Sequence, residues 1–148
     1  MAGVNIDELP QANAGEFIWP VRVYYEDTDG GGVVYHANYL KFMERARTEW
    51  LRSLGFEQAE LKTHLGILFV VRKLEIQYKK PACFDDAIHV VSTVANIQRC
   101  LFTFEQTIKR DDEILTKALV EVVCVDAELF KPASIPESIR NVIAMESA

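Results

Sequence analysis

Tyr39, Phe42, Met43, Ala46, Trp50 and Leu54 recur at spacings of three and four, which lays a single apolar stripe along a helix. Lys41, Glu44, Arg45, Thr48 and Arg52 fall mostly elsewhere on the wheel, so only one face of this helix seeks a core. Asn38 or His36 opens it, and Gly55 stops it one residue past Leu54. From Asn38 to Leu54 the helix runs about 25 Å at a rise of 1.5 Å per residue. Whatever else the chain builds must cover that stripe.

The rest of the sequence predicts strands. Phe17 to Tyr25 is β-prone, with Pro20 tolerable only at a strand start or on an edge. Leu74, Ile76 and Tyr78 alternate with Glu75, Gln77 and Lys79 in a stretch that begins at Ile67 and is interrupted by Pro81. Ala87 to Ile97 is rich in Val and Ile, and Cys100 to Arg110 alternates through Phe102, Phe104, Gln106 and Ile108. Asp111-Asp112 predicts a tight turn, with Ile114 to Val125 as the returning strand. A weaker helical turn covers Glu57 to Lys62, and Pro136 to Met145 forms a short terminal helix. One strand, one long helix and a meander of four strands make an α+β layer, the sheet wrapped over the helix. Uncovered sheet edges favour pairing between subunits.

The 148 residues suit one domain, and a hydrophobic share of 49% is enough to build a sizeable core. A formal charge of −6 argues against nucleic acid, whose phosphates need clustered Lys and Arg. Cys83, Cys100 and Cys124 are odd in number and form no CxxC pair, so a disulfide scaffold and a structural zinc site are not expected. Each lies in an apolar, strand-like stretch and is expected to be a buried, reduced thiol. No apolar run approaches the roughly 20 residues that span a bilayer. Residues 1–16 carry Asp7, Glu8 and Glu16 but no basic residue; they read as a flexible leader ahead of a domain at 17–148, with the cytoplasm as the default setting.

There is no GxSxG, HExxH or GxxxxGK[ST]. The glycine run at Gly30-Gly31-Gly32 fails the dinucleotide fingerprint, and Asp27-Thr28-Asp29 lacks the later ligands of a calcium loop. What remains is the segment from Tyr25 to Tyr39, which puts carboxylates in a loop, glycines beside them and a helix N-terminus a few residues on. Free N–H groups at such a terminus hold a developing oxyanion, and a carboxylate facing them across a carbonyl suits acyl transfer. An ordinary Asp/Gly turn followed by a helix cap has the same spacing.

The chain from Trp19-Pro20-Val21-Arg22-Val23-Tyr24-Tyr25-Glu26-Asp27-Thr28-Asp29 through Gly32-Val33-Val34-Tyr35-His36-Ala37 and Glu44-Arg45-Ala46-Arg47-Thr48-Glu49 closely resembles hot-dog-fold thioesterases of the hydroxybenzoyl-CoA thioesterase type. Within that group it looks like the YbgC-type acyl-CoA thioesterases associated with the Tol–Pal system. The likeness continues at Phe69-Val70-Val71-Arg72-Lys73, Pro81-Ala82, Asp85-Asp86 and Val122-Val123-Cys124-Val125-Asp126. It implies a hot-dog fold, acyl-CoA as substrate, and a homo-oligomer built on dimers or dimers of dimers. Acyl carrier protein is a second acyl donor it allows, and stable membrane insertion is not expected. No metal or redox cofactor is implied; coenzyme A enters as part of the substrate.

The resemblance makes Asp29 the catalytic carboxylate, acting as general base or as nucleophile. It puts the carbonyl-polarising N–H at His36, and Tyr25 and the His36 imidazole near the acid. Gly32 and Val33 fall in its substrate-binding stretch. Gly30-Gly31 departs from the Ala or Pro common in relatives. For the phosphates of coenzyme A the basic residues near strand ends are Arg72, Lys73, Lys79, Lys80 and Arg99. Asp27 is expected to bond loop N–H groups and Glu49 to be a surface charge, while His64 and His89 have no partner in the sequence pattern. Two rival functions share the fold: a non-catalytic acyl-carrier-protein or envelope-complex adaptor, and an acyl dehydratase, which needs a His/Asp or His/Glu arrangement not seen in the sequence.

Overall fold

The structure, a computed structural model, describes residues 9–146. Residues 1–8 of the expected leader lie outside it. The elements in chain order are β1 (Phe17–Arg22), α1 (Asn38–Ser53), a short α2 (Gln58–Glu60), β2 (Ile67–Tyr78), β3 (Ala87–Ile97), β4 (Leu101–Arg110), β5 (Glu113–Asp126) and α3 (Glu137–Glu146). A wide turn, Leu61–Leu65, extends α2 and ends on Gly66 at φ 65°.

α1 follows the sequence stripe: Tyr39, Phe42, Met43, Ala46 and Trp50 are all buried, joined by Leu51. Gly55 ends it at φ 95°, where a side chain is disfavoured. The stripe packs on one face of an antiparallel sheet ordered β1-β3-β4-β5-β2. Trp50 anchors the contact, stacked on Phe17 at 5.9 Å and edge-on to Phe104 at 5.9 Å. Ile135, Ile139 and Ile143 bring the C-terminal helix into the same core.

Two expectations are corrected. β1 ends at Arg22, because a single 3-10 turn at Tyr25–Asp27 turns the chain away from the sheet. The four later strands are not one meander: β3, β4 and β5 are, but β2 pairs with β5 from Ile67↔Asp126 to Tyr78↔Thr116. Residues 79–86 are too long for a hairpin turn and carry the chain across the sheet end instead. The turn at Asp111-Asp112 is as expected, with Asp111 at φ 55°, a conformation Asp tolerates. β1 and β2 are the sheet edges, which suits Pro20 in β1.

Inside the core lies a polar brace. Gln106, 0% exposed, donates to the Met43 C=O at 3.0 Å and the Ser92 hydroxyl at 2.9 Å. Its own oxygen accepts from the Arg47 guanidinium at 2.8 Å. Sheet and helix are thereby pinned together at mid-length. Burial pulls the Arg47 pKa down to about 10.

Candidate active site

The loop between β1 and α1 is tied from within. The Asp27 carboxylate accepts the Tyr24 N–H at 2.8 Å, the loop-bonding role expected of it. Asp29 N–H donates to the Val33 C=O at 2.9 Å, and Thr28 and Val34 form an antiparallel bridge. Closing so small a loop puts Gly32 at φ 83°, where glycine has no steric penalty. The Asp29 carboxylate is exposed, and its Oδ1 accepts the Gly31 N–H at 2.6 Å.

The opening of α1 is braced yet uncapped. Its N-cap is Ala37, which has no side chain to offer, and the first turn carries no acidic residue. Asn38, an expected cap, instead donates its amide to the Asp27 C=O at 2.8 Å, beside the Tyr35 N–H at 3.0 Å. The Tyr78 hydroxyl donates to the His36 C=O at 2.8 Å. Burial raises the Tyr78 pKa, so that donor keeps its proton. Within the described residues, the N–H groups of His36 and Ala37 make no hydrogen bond. Fixed backbone with free donors is what an oxyanion site requires.

A cleft of about 280 Å³ opens there, lined by Val34, His36, Tyr39, Tyr78, Lys79, Lys80 and Pro81. Asp29 stands on the other arm of the loop, joined to the cleft wall through Val33 and Val34. Among the described residues it forms no hydrogen bond with His36 or Tyr25. The His36 ring lies against Tyr35 at 4.4 Å and Tyr78 at 6.4 Å, and Tyr25 is 80% exposed with its ring edge-on to Phe84 at 6.0 Å.

Of the basic candidates, only Lys79 and Lys80 line the cleft, Lys80 paired with Glu113 at 2.8 Å. Arg72 pairs with Glu121 at 2.6 Å, and Lys73 with Glu75 at 3.3 Å and, more distantly, Glu121 at 4.0 Å. Arg99 sits at the opposite end of the sheet, beyond Ile97. Gly32 and Val33 lie in the loop wall, Val33 bridging to Cys83. Glu49 is paired with Arg52, His64 is exposed and His89 is buried. Cys124 is buried, its thiol pushed up to about 11, but Cys83 is exposed, contrary to expectation, because it lies in the 79–86 crossover and not in a strand.

Sequence reasoning missed Tyr78, whose place on the helix-facing side was legible but whose reach to His36 was not. It also missed Tyr39 as an acceptor: its hydroxyl takes the buried Ala82 N–H at 3.0 Å. Asp86 and Arg110, paired at 2.7 Å, were singled out only as part of a resemblance or not at all.

Residues 23–143 match the family described as Thioesterase-like superfamily. The chain belongs to that superfamily. It is 48% identical over 124 residues to the acyl-CoA thioesterase YbgC of Haemophilus influenzae, covering 84% of this chain and 91% of that one. It is 46% identical over 128 residues to the acyl-CoA thioester hydrolase YbgC of Escherichia coli, covering 86% and 95%. Its fold matches a 1,4-dihydroxy-2-naphthoyl-CoA thioesterase from Synechocystis with a TM-score of 0.82 at 25% identity, over 88% of this chain and 96% of that one. This thioesterase therefore has the hot-dog architecture, and the YbgC resemblance drawn from its loop and helix extends over most of the chain.

Proposed function

We propose that this thioesterase hydrolyses acyl-CoA to the free acid and coenzyme A, with Asp29 supplying the reacting oxygen or activating water and the His36 N–H polarising the thioester carbonyl. The observation that carries the reading is the opening of α1: braced by Tyr78 and Asn38, yet with the His36 and Ala37 amides unbonded. As base, Asp29 takes a proton from water while the hydroxide adds to the carbonyl carbon. The tetrahedral oxyanion rests on the free amides, then collapses and expels the thiolate, which takes the proton back. As nucleophile, the Asp29 oxygen displaces the thiolate to form a mixed anhydride, which water hydrolyses to the free acid and the Asp29 carboxylate, its proton passing to the thiolate. Neither route calls for a metal or a redox cofactor. Lys79 and Lys80, at the mouth of the cleft, are the phosphate contacts in this reading.

A cytoplasmic setting, Tol–Pal association, acyl carrier protein as a second donor and assembly as dimers of dimers belong to the same proposal. The unpaired edges of β1 and β2 support assembly. Thiol release from a panel of acyl-CoAs tests the function, with Asp29→Asn as the control. Release that falls at least about a hundredfold in the folded variant supports the reading. Binding without release supports the adaptor, and water addition to an enoyl-CoA supports the dehydratase.

A further inference from the structure

Residues 81–86 touch both halves of the site. The Ala82 C=O accepts the Val34 N–H at 2.8 Å, and Cys83 bridges to Val33, whose C=O holds Asp29. The Ala82 N–H donates to the hydroxyl of Tyr39, in the first turn of α1. The Asp29 arm and the start of the helix are thus hung on one strap.

That strap does not hold its shape unaided. Asp85 sits at φ 69°, in the left-handed region, with its N–H donating to the Val23 C=O at 2.9 Å and its C=O accepting from Arg22 at 2.8 Å. Such a conformation persists where the surroundings over-determine it. Here the two ends of the strap are gripped by one guanidinium. Arg110 Nη1 donates to the Pro81 C=O at 3.2 Å and to Asp86 Oδ2 at 2.7 Å, and Nη2 donates to Glu113. Asp86 is 7% exposed, and the same Oδ2 accepts the Cys83 N–H at 2.8 Å. The pairing of β4 with β5 shifts between Ile108 and Lys109, next to Arg110. At the shift Leu115 leaves the ladder, and its C=O accepts Lys79 and Lys80 N–H at 2.8 and 3.1 Å. The irregularity therefore serves the strap twice.

We infer that Arg110 and Asp86 are positioning residues for hydrolysis: their ion pair fixes the 81–86 strap, and the strap sets the Asp29 arm against the opening of α1. The inference rests on the Asp29 reading for its catalytic meaning. Neither side chain lines the cleft, so the pair acts on the site through the strap. The Asp86 hydrogen bond raises the Arg110 pKa, so the cation persists at any working pH.

The test compares Arg110→Met, Arg110→Lys and Asp86→Asn with the parent protein. Methionine keeps much of the stem and removes the fork; lysine keeps the charge but loses the planar donor pair. Arg110→Met is expected to lower kcat by about 30-fold with KM within about threefold, the scale of a small misplacement of reacting groups. Arg110→Lys recovers part of the loss, and keeps the test usable should the methionine variant not fold. Hydrogen exchange gives the readout that plain destabilisation does not move: the Val34 amide exchanges at least about tenfold faster while Val90 and Val120, in the sheet core, are unchanged. Parent-like kcat and Val34 protection overturn the inference, as does a uniform loss of protection across the sheet. The two readings fail separately. If Asp29→Asn stays active the chemistry is wrong, and Val34 exchange still decides whether the pair holds the strap.

Discussion

Replacing Gln106 by leucine keeps the bulk of a side chain that is 0% exposed and removes every hydrogen bond it makes. Two are neutral, to Met43 C=O and Ser92, at about 1 kcal/mol each; the third, from the Arg47 guanidinium, is charge-assisted and contributes about 2 kcal/mol. The total is about 4 kcal/mol, which for a chain of this size lowers Tm by about 8–16 °C. Half of that arises because Arg47 stays where it is, half-buried and without its acceptor. Arg47→Met in the Gln106→Leu background should therefore recover about 2 kcal/mol, a coupling far above additivity error. Urea unfolding of the parent, both single variants and the double variant measures the cycle, with an unchanged m-value securing the comparison. A cost under about 1 kcal/mol for Gln106→Leu, or simple additivity of the two substitutions, refutes the coupling.

Three further outcomes follow from the site and the sheet. A Cβ on Gly31 lies 3.2 Å from Asp29 Oδ1, whereas one on Gly30 meets nothing within 4 Å. Gly31→Ala should displace the carboxylate and lower kcat about tenfold, while Gly30→Ala leaves thiol release unchanged. His36→Ala retains the backbone donor and should keep kcat within about threefold, with its pH profile intact; His36→Pro deletes that donor and should cost about a hundredfold. Burial, helped by Lys109, depresses the His89 pKa below its ordinary 6.5. The native state then binds fewer protons than the unfolded chain below that value, so stability falls as pH drops below 6.5. Melting curves of His89→Gln should be flatter over that window.

The long helix was legible because six residues kept one spacing, and its end because Gly55 followed. Strand existence was legible from alternation, but the partner of β2 was not. Either a hairpin with β3 or a crossover to β5 satisfies the same apolar pattern, and only the packed sheet end distinguishes them. The loop chemistry was readable as carboxylate, glycine and helix start; the specific weight on Asp29 came from resemblance. Pairs such as Arg47 with Gln106 and Arg110 with Asp86 leave no periodic trace, being 59 and 24 residues apart. For the same reason Lys79 and Lys80 were not separable in advance from Arg72, Lys73 and Arg99. All are basic residues near strand ends, and which end faces the cleft is a property of the assembled sheet.

A helix that starts on Ala37 forgoes about 1 kcal/mol that a Ser or Asp there would contribute. The molecule is thus most complete when something else occupies that position. In the proposed hydrolysis the oxygen of the scissile thioester does so, and does it best when it carries a full negative charge. Substrate acts, for the length of one turnover, as the residue the helix lacks.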